Sequence, residues 1–410
     1  MAKWNHNRTG TFLTWICAVT ALVHATTLPS QAQYQVERVL PLPPEAPSNE
    51  DNVLRYGEFD IRPFLSVSAM YDDNIFIASS GEEADLLWIF TPGVLLGSGA
   101  YRERDENYVV LSYQPDFIVF TDNRDQNDVD HDARFGLQRR PGNWTLLLQQ
   151  DFATFTGSQV DVGARVDEQL FTTVAGAQYE ISPKTSVELK GHQILDDYDG
   201  IGLDGYNEWF IESWADFALT DKLRLGGGLT GGILDVRGGG DQDYQQPLAR
   251  VQYDYTPKVA LRASGGVEFR QFEDGGEDRT EGVFAMGSTY QPFENTYLDV
   301  DVYRANHNSI SLLNQNYRST GIKARVRQDL KDKYHLHLGG GIENLDYYAT
   351  RTGVAAVRED DFIFIRAGAS WDVWERLNVG VFYQFRDNDS NSSSFDFVNH
   401  QTGVSVAYQY

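Results

Sequence analysis

Past residue 58, apolar and polar positions alternate along the chain in segments of about 10–13 residues that end in turn residues. In residues 361–371, for example, Ile363, Ile365 and Trp371 occupy alternate positions, and Arg366 lies between them. Successive side chains of a strand point to opposite faces, whereas the faces of a helix repeat every 3.6 residues. The period of two therefore predicts strands, each with one apolar and one polar face.

Two kinds of connection separate the predicted strands, and they alternate along the chain. The short ones recur roughly every 40 residues, a spacing that marks an internal repeat. They lie near Pro141, Pro183, Asp221, Pro257, Pro292, Asp332 and Val373. The longer ones are acidic and rich in Gly or Asn, and comprise residues 122–132, 196–205, 238–243, 273–278, 308–315, 348–358 and 387–394. Short turns at one end and long loops at the other are typical of an outer-membrane barrel, with the turns in the periplasm.

Counting these hairpins predicts an all-β fold, a transmembrane antiparallel up-and-down outer-membrane β-barrel of about 18 strands (16–18) in residues 59–410. An even strand number places both termini in the periplasm of a Gram-negative cell. A soluble β-propeller is the alternative, because its blades repeat every ~40–45 residues. A blade needs four short strands in that span, whereas here each period holds two long ones, which favours the barrel.

The final strand supports the same interpretation. Val404, Val406, Tyr408 and Tyr410 occupy alternate positions, so they would share the lipid-facing side, with the tyrosines at the interface where aromatic rings are enriched. Tyr408 and Tyr410 resemble the C-terminal signal that the barrel-insertion machinery reads, although phenylalanine is its usual last residue.

The first 58 residues are of a different kind. Lys3 and Arg8 precede an apolar segment of signal-peptide length, and small residues before residue 33 suit cleavage there, so residues 1–32 are predicted to be a signal peptide. Residues 33–58 are rich in Pro and acids and are predicted to be a disordered periplasmic leader.

Charge and cysteine content narrow the function classes. Without the predicted signal peptide, 32 basic and 59 acidic residues remain, a formal charge of −27. This balance argues against nucleic acid as a partner, because phosphate binding requires clustered Lys and Arg. It favours cationic or neutral solutes over anions. Cys17, the only cysteine, lies in the signal peptide, so neither a disulfide framework nor a cysteine metal site is expected.

Residues 62–76 and 90–99 carry a family resemblance. The first segment ends in a YDDN corner, Tyr71 to Asn74, and the second contains Pro92–Gly93. Together they resemble the bacterial β-barrel porin family, type 2, often found near exopolysaccharide genes. The resemblance implies a barrel over residues 59–410 and polysaccharide-export proteins as partners, beside outer-membrane lipid and lipopolysaccharide.

Motifs for catalysis or cofactor binding are absent, so we expect no cofactor, no metal site and no enzyme. Three alternatives to this expectation involve specific residues. His335, His337 and Glu343 share a strand face and could ligate a metal. Asp128, Asp130 and Asp132 could bind a divalent cation in a loop, but an EF-hand glycine is missing. An outer-membrane hydrolase would draw on one of His131, His192, His307 and His400.

The inward polar faces carry the candidate site. Asp299 and Asp301 precede a strand with Lys323, Arg325 and Arg327, and an antiparallel hairpin would set these acids beside these bases. Such opposed charges solvate the wall, and they can also set a field that filters solutes. The predicted lumen-lining charges are Glu188, Lys190, Arg262, Glu268, Arg270, Asp299, Asp301, Lys323, Arg325, Arg327, His335, His337, Arg366 and Arg386.

These features predict a porin-like channel for passive passage of small hydrophilic solutes or for export of a polysaccharide. The alternative from another class is a non-conducting structural or assembly component of an exopolysaccharide secretion system.

Overall fold

The computed structural model describes residues 53–102, 106–200, 202–203, 205–273, 275–331 and 333–410. The predicted signal peptide and residues 33–52 of the predicted leader lie outside these ranges. The described chain contains one 3₁₀ turn, Arg124–Gln126, and 19 strands: β1 Leu54–Tyr56, β2 Phe59–Asp72, β3 Asp85–Gly99, β4 Tyr108–Phe120, β5 Asp128–Arg139, β6 Trp144–Gln159, β7 Ala164–Ser182, β8 Thr185–Asp199, β9 Tyr206–Ala218, β10 Leu223–Val236, β11 Gln242–Thr256, β12 Val259–Phe272, β13 Arg279–Tyr290, β14 Thr296–Asn308, β15 Gln315–Leu330, β16 Tyr334–Ala349, β17 Glu359–Trp374, β18 Leu377–Ser390 and β19 Phe397–Gln409.

Strands β2 to β19 form a closed antiparallel barrel. Each pairs with the next along the chain, and β19 returns to pair with β2, from Gln401 opposite Asp72 to Gln409 opposite Phe64. The barrel therefore has 18 strands in the described chain, which confirms the predicted fold class. Closure leaves no open sheet edge, the condition for a sheet that meets hydrocarbon. No helix among the described residues is long and apolar enough to cross a membrane.

The short strand β1 continues the wall beyond the end of β19. Both β1 and β19 pair with the same edge of β2. Leu54 of β1 pairs with Ile61, and the Tyr410 amide, just after β19, donates to the Pro63 carbonyl of β2. Residues 54–56, which the sequence prediction assigned to the disordered leader, are thus part of the sheet.

The two faces of the wall differ as the period of two predicts. On β9, Trp209 and Ile211 point outward and are more than half exposed, while Glu208 and Glu212 point inward and are buried. Leu336, Leu338 and Ile342 repeat the exposed apolar set on β16. An apolar outer band with a polar interior is the arrangement that a barrel needs in a bilayer.

The ends of the barrel differ in their connections. We call the end that holds residues 140–143, 183–184, 257–258 and 375–376 the turn end, and the opposite end the loop end. Several strands extend further toward the loop end than predicted. Asp128, Asp130 and Asp132, expected in a loop, lie within β5, and residues 387–390 lie within β18.

The barrel wall splits at two seams near the loop end. Strands β5 and β6 pair only as far as Asp132 opposite Ala153, although β6 continues to Gln159. Strands β13 and β14 pair only as far as Phe284 opposite Arg304, although β14 continues to Asn308. Beyond these points, β6 and β14 each have one free edge. Their partners stay in the wall, because β7 pairs with β8 as far as Asp167 and β15 pairs with β16 as far as Gln315.

Candidate channel interior

The tips of the two hairpins with a free edge meet inside the barrel. Six strands, β8 to β13, separate them on one side, and eight strands separate them on the other. A barrel of this strand number is wide enough to hold an aqueous channel, so nearly opposite walls cannot touch unless elements fold inward. The hairpin tips nevertheless form hydrogen bonds with each other, which places both tips in the lumen.

Asp161, in the β6–β7 connection, is the centre of this contact. Its carboxylate accepts hydrogen bonds from the Ser309 hydroxyl at 3.0 Å and the Ile310 amide at 2.8 Å, both in the β14–β15 connection. The Tyr347 hydroxyl donates to the same carboxylate at 2.7 Å. Hydrogen bonds to a charged group contribute about 1.5–3 kcal/mol each. One buried side chain therefore holds the two hairpins to each other and to β16.

Arg358 ties the β16–β17 connection to the same tip. Its guanidinium donates to the main-chain carbonyls of Asp161 at 2.6 Å and Val160 at 3.0 Å. It also donates two bonds of 3.0 Å to the Asp360 carboxylate and lies over the Phe395 ring. Burial alone would lower the pKa of Arg358, but the bonds to Asp360 and the charge of Asp161 raise it above its ordinary value. The cation is thus retained in a buried setting.

Apolar side chains fill the space around this polar centre. Ile77, from the connection between β2 and β3, packs fully buried against Val160, Tyr317 and Phe397. Ile310 is also fully buried, against Val166 and Tyr198. Three connections from separate parts of the wall therefore close the loop end: residues 73–84, 160–163 and 309–314. We call these three segments the plug.

The β14–β15 hairpin rests on the inner wall at points far from its own strands, through residues that continue the outward-facing positions of β14 and β15. Asn306 of β14 donates to Glu268 of β12 at 3.0 Å. Asn316 of β15 exchanges two hydrogen bonds with Gln242 of β11, of 2.8 and 3.1 Å. These contacts pass over β13, so the β14–β15 hairpin lies across the inner surface of β11 to β13.

The lumen between β8 and β11 is lined by a compact charged and aromatic layer. Arg250 donates to Asp216 at 2.8 Å, lies 4.3 Å from the Trp214 ring centre and is 3.6 Å from Glu188. The side chains of this layer lie against β10, which has glycines at the positions that they cover. A Cβ on Gly228 would come within 2.5 Å of the Trp214 ring, which explains the need for glycine there.

Toward the turn end, the predicted hairpin of opposite charges has the expected register. Asp299 lies opposite Arg325, and Asp301 lies opposite Lys323. Asp301 and Arg325 are exposed, in contrast to the buried side chains near the plug. Thr289 also donates to Asp299 at 2.8 Å. The turn-end half of the lumen is thus open to water and lined with charge.

A basic strip continues from β15 across β16 and β17. Arg325 pairs with Gly339, which in turn pairs with Arg366, so that one glycine separates two guanidinium-bearing positions. In the same way Arg327 pairs with His337, and His337 pairs with Gly368. His335, nearer the turn end, contacts Asp329 at 2.8 Å through Nδ1 and Asp372 at 3.0 Å through Nε2.

The other predicted lumen charges lie at several heights. Lys190 forms an ion pair with Glu188 at 3.1 Å, and Arg262 is half-buried opposite Gln252. Glu268 and Arg270 are buried and paired at 2.7 Å, and Arg386 is buried with two hydrogen bonds to Asn399. All 14 positions lie on the face opposite the apolar outer band. Their contact with a solute stays a prediction.

The candidate residues for metal binding or hydrolysis do not form one site. Glu343 is six positions beyond His337, a rise of about 20 Å along a strand. Asp128 and Asp130 accept hydrogen bonds from Thr156 at the β5–β6 seam, and Asp132 pairs with Arg134. The described residues contain no cluster of three or more metal-ligating side chains. The four histidines lie on four strands, where His131 and His400 bond outward-facing tyrosines.

No protein-family model matches the sequence, and no curated protein sequence matches it. Solved structures, among them an outer membrane protein, are similar over most of the chain. OccK3 (OpdO) of Pseudomonas aeruginosa is 13% identical, with 85% of this chain and 95% of that chain covered and a TM-score of 0.43. The outer membrane protein OpdK of the same organism is 12% identical, with 86% of this chain and 99% of that chain covered and a TM-score of 0.44. OccAB1 of Acinetobacter baumannii is 11% identical, with 86% of this chain and 97% of that chain covered and a TM-score of 0.46.

The strand pairing of this chain itself shows the architecture of an outer-membrane β-barrel. Membership of the type 2 porin family, suggested by residues 62–76, stays a prediction. The plug was missed from sequence. Its signal was available in the apolar residues of otherwise polar connections, namely Ile75, Phe76, Ile77, Ile310, Leu312 and Leu313.

Proposed function

We propose that this protein is a channel of the Gram-negative outer membrane for passive passage of small hydrophilic solutes. The observation that carries the proposal is the closed 18-stranded wall with an apolar outside and a water-exposed, charged turn-end lumen. We assign the turn end to the periplasm and the loop end to the outside, so both termini are periplasmic. Discrete conductance steps of the purified protein in planar bilayers test this function.

The charged strip on β15 is the proposed selectivity element. Changing Lys323, Arg325 and Arg327 together to Glu places new acids opposite Asp299 and Asp301. The cation-to-anion permeability ratio should then rise several-fold, on the order of 3–10, because rings of like charge set pore selectivity. Reversal potentials in a salt gradient measure this ratio.

A control with the same change in net charge separates lumen charge from total charge. Lys184, Lys222 and Lys258 lie in exposed turns at the turn end, and we expect their joint change to Glu to leave the ratio nearly unchanged. An equal response of the two triple variants would remove the β15 strip from the selectivity element.

A non-conducting component of an exopolysaccharide secretion system is the second candidate. The closed loop end favours it, because Ile77 and Ile310 leave no exposed surface at the centre of the plug. In this case the barrel would insert into membranes and show heat-modifiable migration on a gel, yet it would give no conductance steps even when the plug is shortened. Polysaccharide export through the lumen would instead require the plug to move.

A further inference from the structure

The β6–β7 and β14–β15 hairpins each have one free edge, and their tips are joined through Asp161. We propose that the β6–β7 and β14–β15 hairpins are the two leaves of a gate and that Asp161 is the latch that keeps them closed. This inference rests on the proposed channel function and concerns its regulation. Hereafter these two hairpins are called the gate hairpins.

The β5–β6 seam is stabilised in its split form. At the β5–β6 seam, side chains replace the missing ladder: the His131 amide donates to the Thr154 hydroxyl, and the Thr156 amide donates to the Asp130 carboxylate, both at 2.8 Å. Unpaired backbone groups at a strand edge are costly when they lack partners. The sequence around the seam therefore supplies partners for an edge that has left its neighbour.

Each hairpin has one free edge and one edge that stays in the wall. Pairing with the wall ends at Ala153 on β6 and at Arg304 on β14, whereas β7 stays paired with β8 as far as Asp167 and β15 stays paired with β16 as far as Gln315. Each hairpin therefore swings about its paired side, and its free edge bends away from the point where the seam begins. Both bending points lie just above outward apolar residues, Phe152 on one side and Val302 on the other, so the movement takes place outside the hydrocarbon.

Few polar groups hold the tips of the two gate hairpins to each other. The contact between the two gate hairpins depends on Asp161, through Ser309 and Ile310, together with the Ser311 hydroxyl, which donates to the Asp161 carbonyl at 2.7 Å. The direct contact between the two tips is therefore sensitive to one residue, because loss of one charged acceptor removes several bonds at once. Opening clears the extracellular end of the lumen.

The experiment compares Asp161→Asn with Asp199→Asn in planar bilayers, using the full chain. Asp199 is an exposed acid at the end of β8 and provides a control of equal charge. We expect the fraction of time in the open state to rise on the order of tenfold for Asp161→Asn, as loss of a charged hydrogen-bond acceptor implies. It should stay at the wild-type value for Asp199→Asn. Tyr347→Phe removes one of the latch bonds and should give a smaller rise.

A cross-link provides the opposite perturbation. Cysteines at Val162 and Ser311, in a Cys17→Ser background, join the two tips through a short bifunctional methanethiosulfonate, from which each thiolate displaces a sulfinate to form a reducible disulfide. We expect openings to cease on cross-linking and to return on reduction. Heat-modifiable migration on a gel confirms that each variant is folded.

Two results would overturn the gate in different ways. Equal open fractions in wild type, Asp161→Asn and the cross-linked protein, all with conductance steps, refute the gate and leave the channel intact. No conductance in any variant, including one with the β14–β15 hairpin shortened, refutes the channel and the gate together.

Discussion

Shortening the β14–β15 gate hairpin is expected to raise the conductance of the protein on the order of tenfold, because an 18-stranded barrel without its plug leaves an aqueous channel. The change replaces residues 307–317 with Asn-Gly, which joins Asn306 to Arg318, a pair that already faces across the hairpin. A two-residue Asn-Gly turn fits such a register. The wall loses only the three pairs that residues 315–317 form with β16 at the loop end, because β13 and β14 are paired only up to Arg304.

The matched control shortens a connection at the same end that lies largely outside the plug. Residues 237–241 join β10 to β11 and are mostly exposed. Replacing them with Asn-Gly should leave the conductance close to that of wild type. If both deletions gave the same conductance, the β14–β15 hairpin would not be the obstruction.

A charge placed on the outer band should strongly destabilise the barrel. Leu338 lies in the middle of the outward residues of β16 and is 53% exposed. Arg at this position should lower the free energy of unfolding in liposomes by about 2–4 kcal/mol, the cost of Arg near the bilayer midplane. Urea titration of vesicle-inserted protein measures the change.

The adjacent residue supplies the control for this substitution. His337 points into the lumen, so His337→Arg should change the free energy of unfolding by less than about 1 kcal/mol, as surface substitutions usually do. Similar losses for the two variants would mean that the alternate faces of β16 meet the same environment.

The wall of the barrel could be predicted from sequence because one physical rule governs every strand. Ile363, Ile365 and Trp371 have to be apolar because they point outward, and Arg366 can be charged because it points inward. Repeated 18 times, this rule gives the fold and the register of pairs such as Asp299 with Arg325.

The interior of the loop end could not be predicted in this way, because it depends on contacts between segments far apart in sequence. Asp161 and Ser309 are 148 residues apart, and no local pattern relates them. The acids at 128, 130 and 132 were assigned to a loop because they are polar, whereas Asp128 and Asp130 support a split strand edge through Thr156. Apolar residues in polar connections were the one sequence signal for the plug.

A nitroxide scan along β16 tests the membrane-spanning wall most directly. Single cysteines at residues 335–342, labelled and placed in liposomes, report collision with oxygen from the lipid and with a paramagnetic complex from water. We predict strict alternation, with oxygen favoured at Leu336, Leu338 and Ile342 and the aqueous complex favoured at His335, His337 and Gly341. Uniform access of the aqueous complex at all eight positions would show that this strand does not border a bilayer.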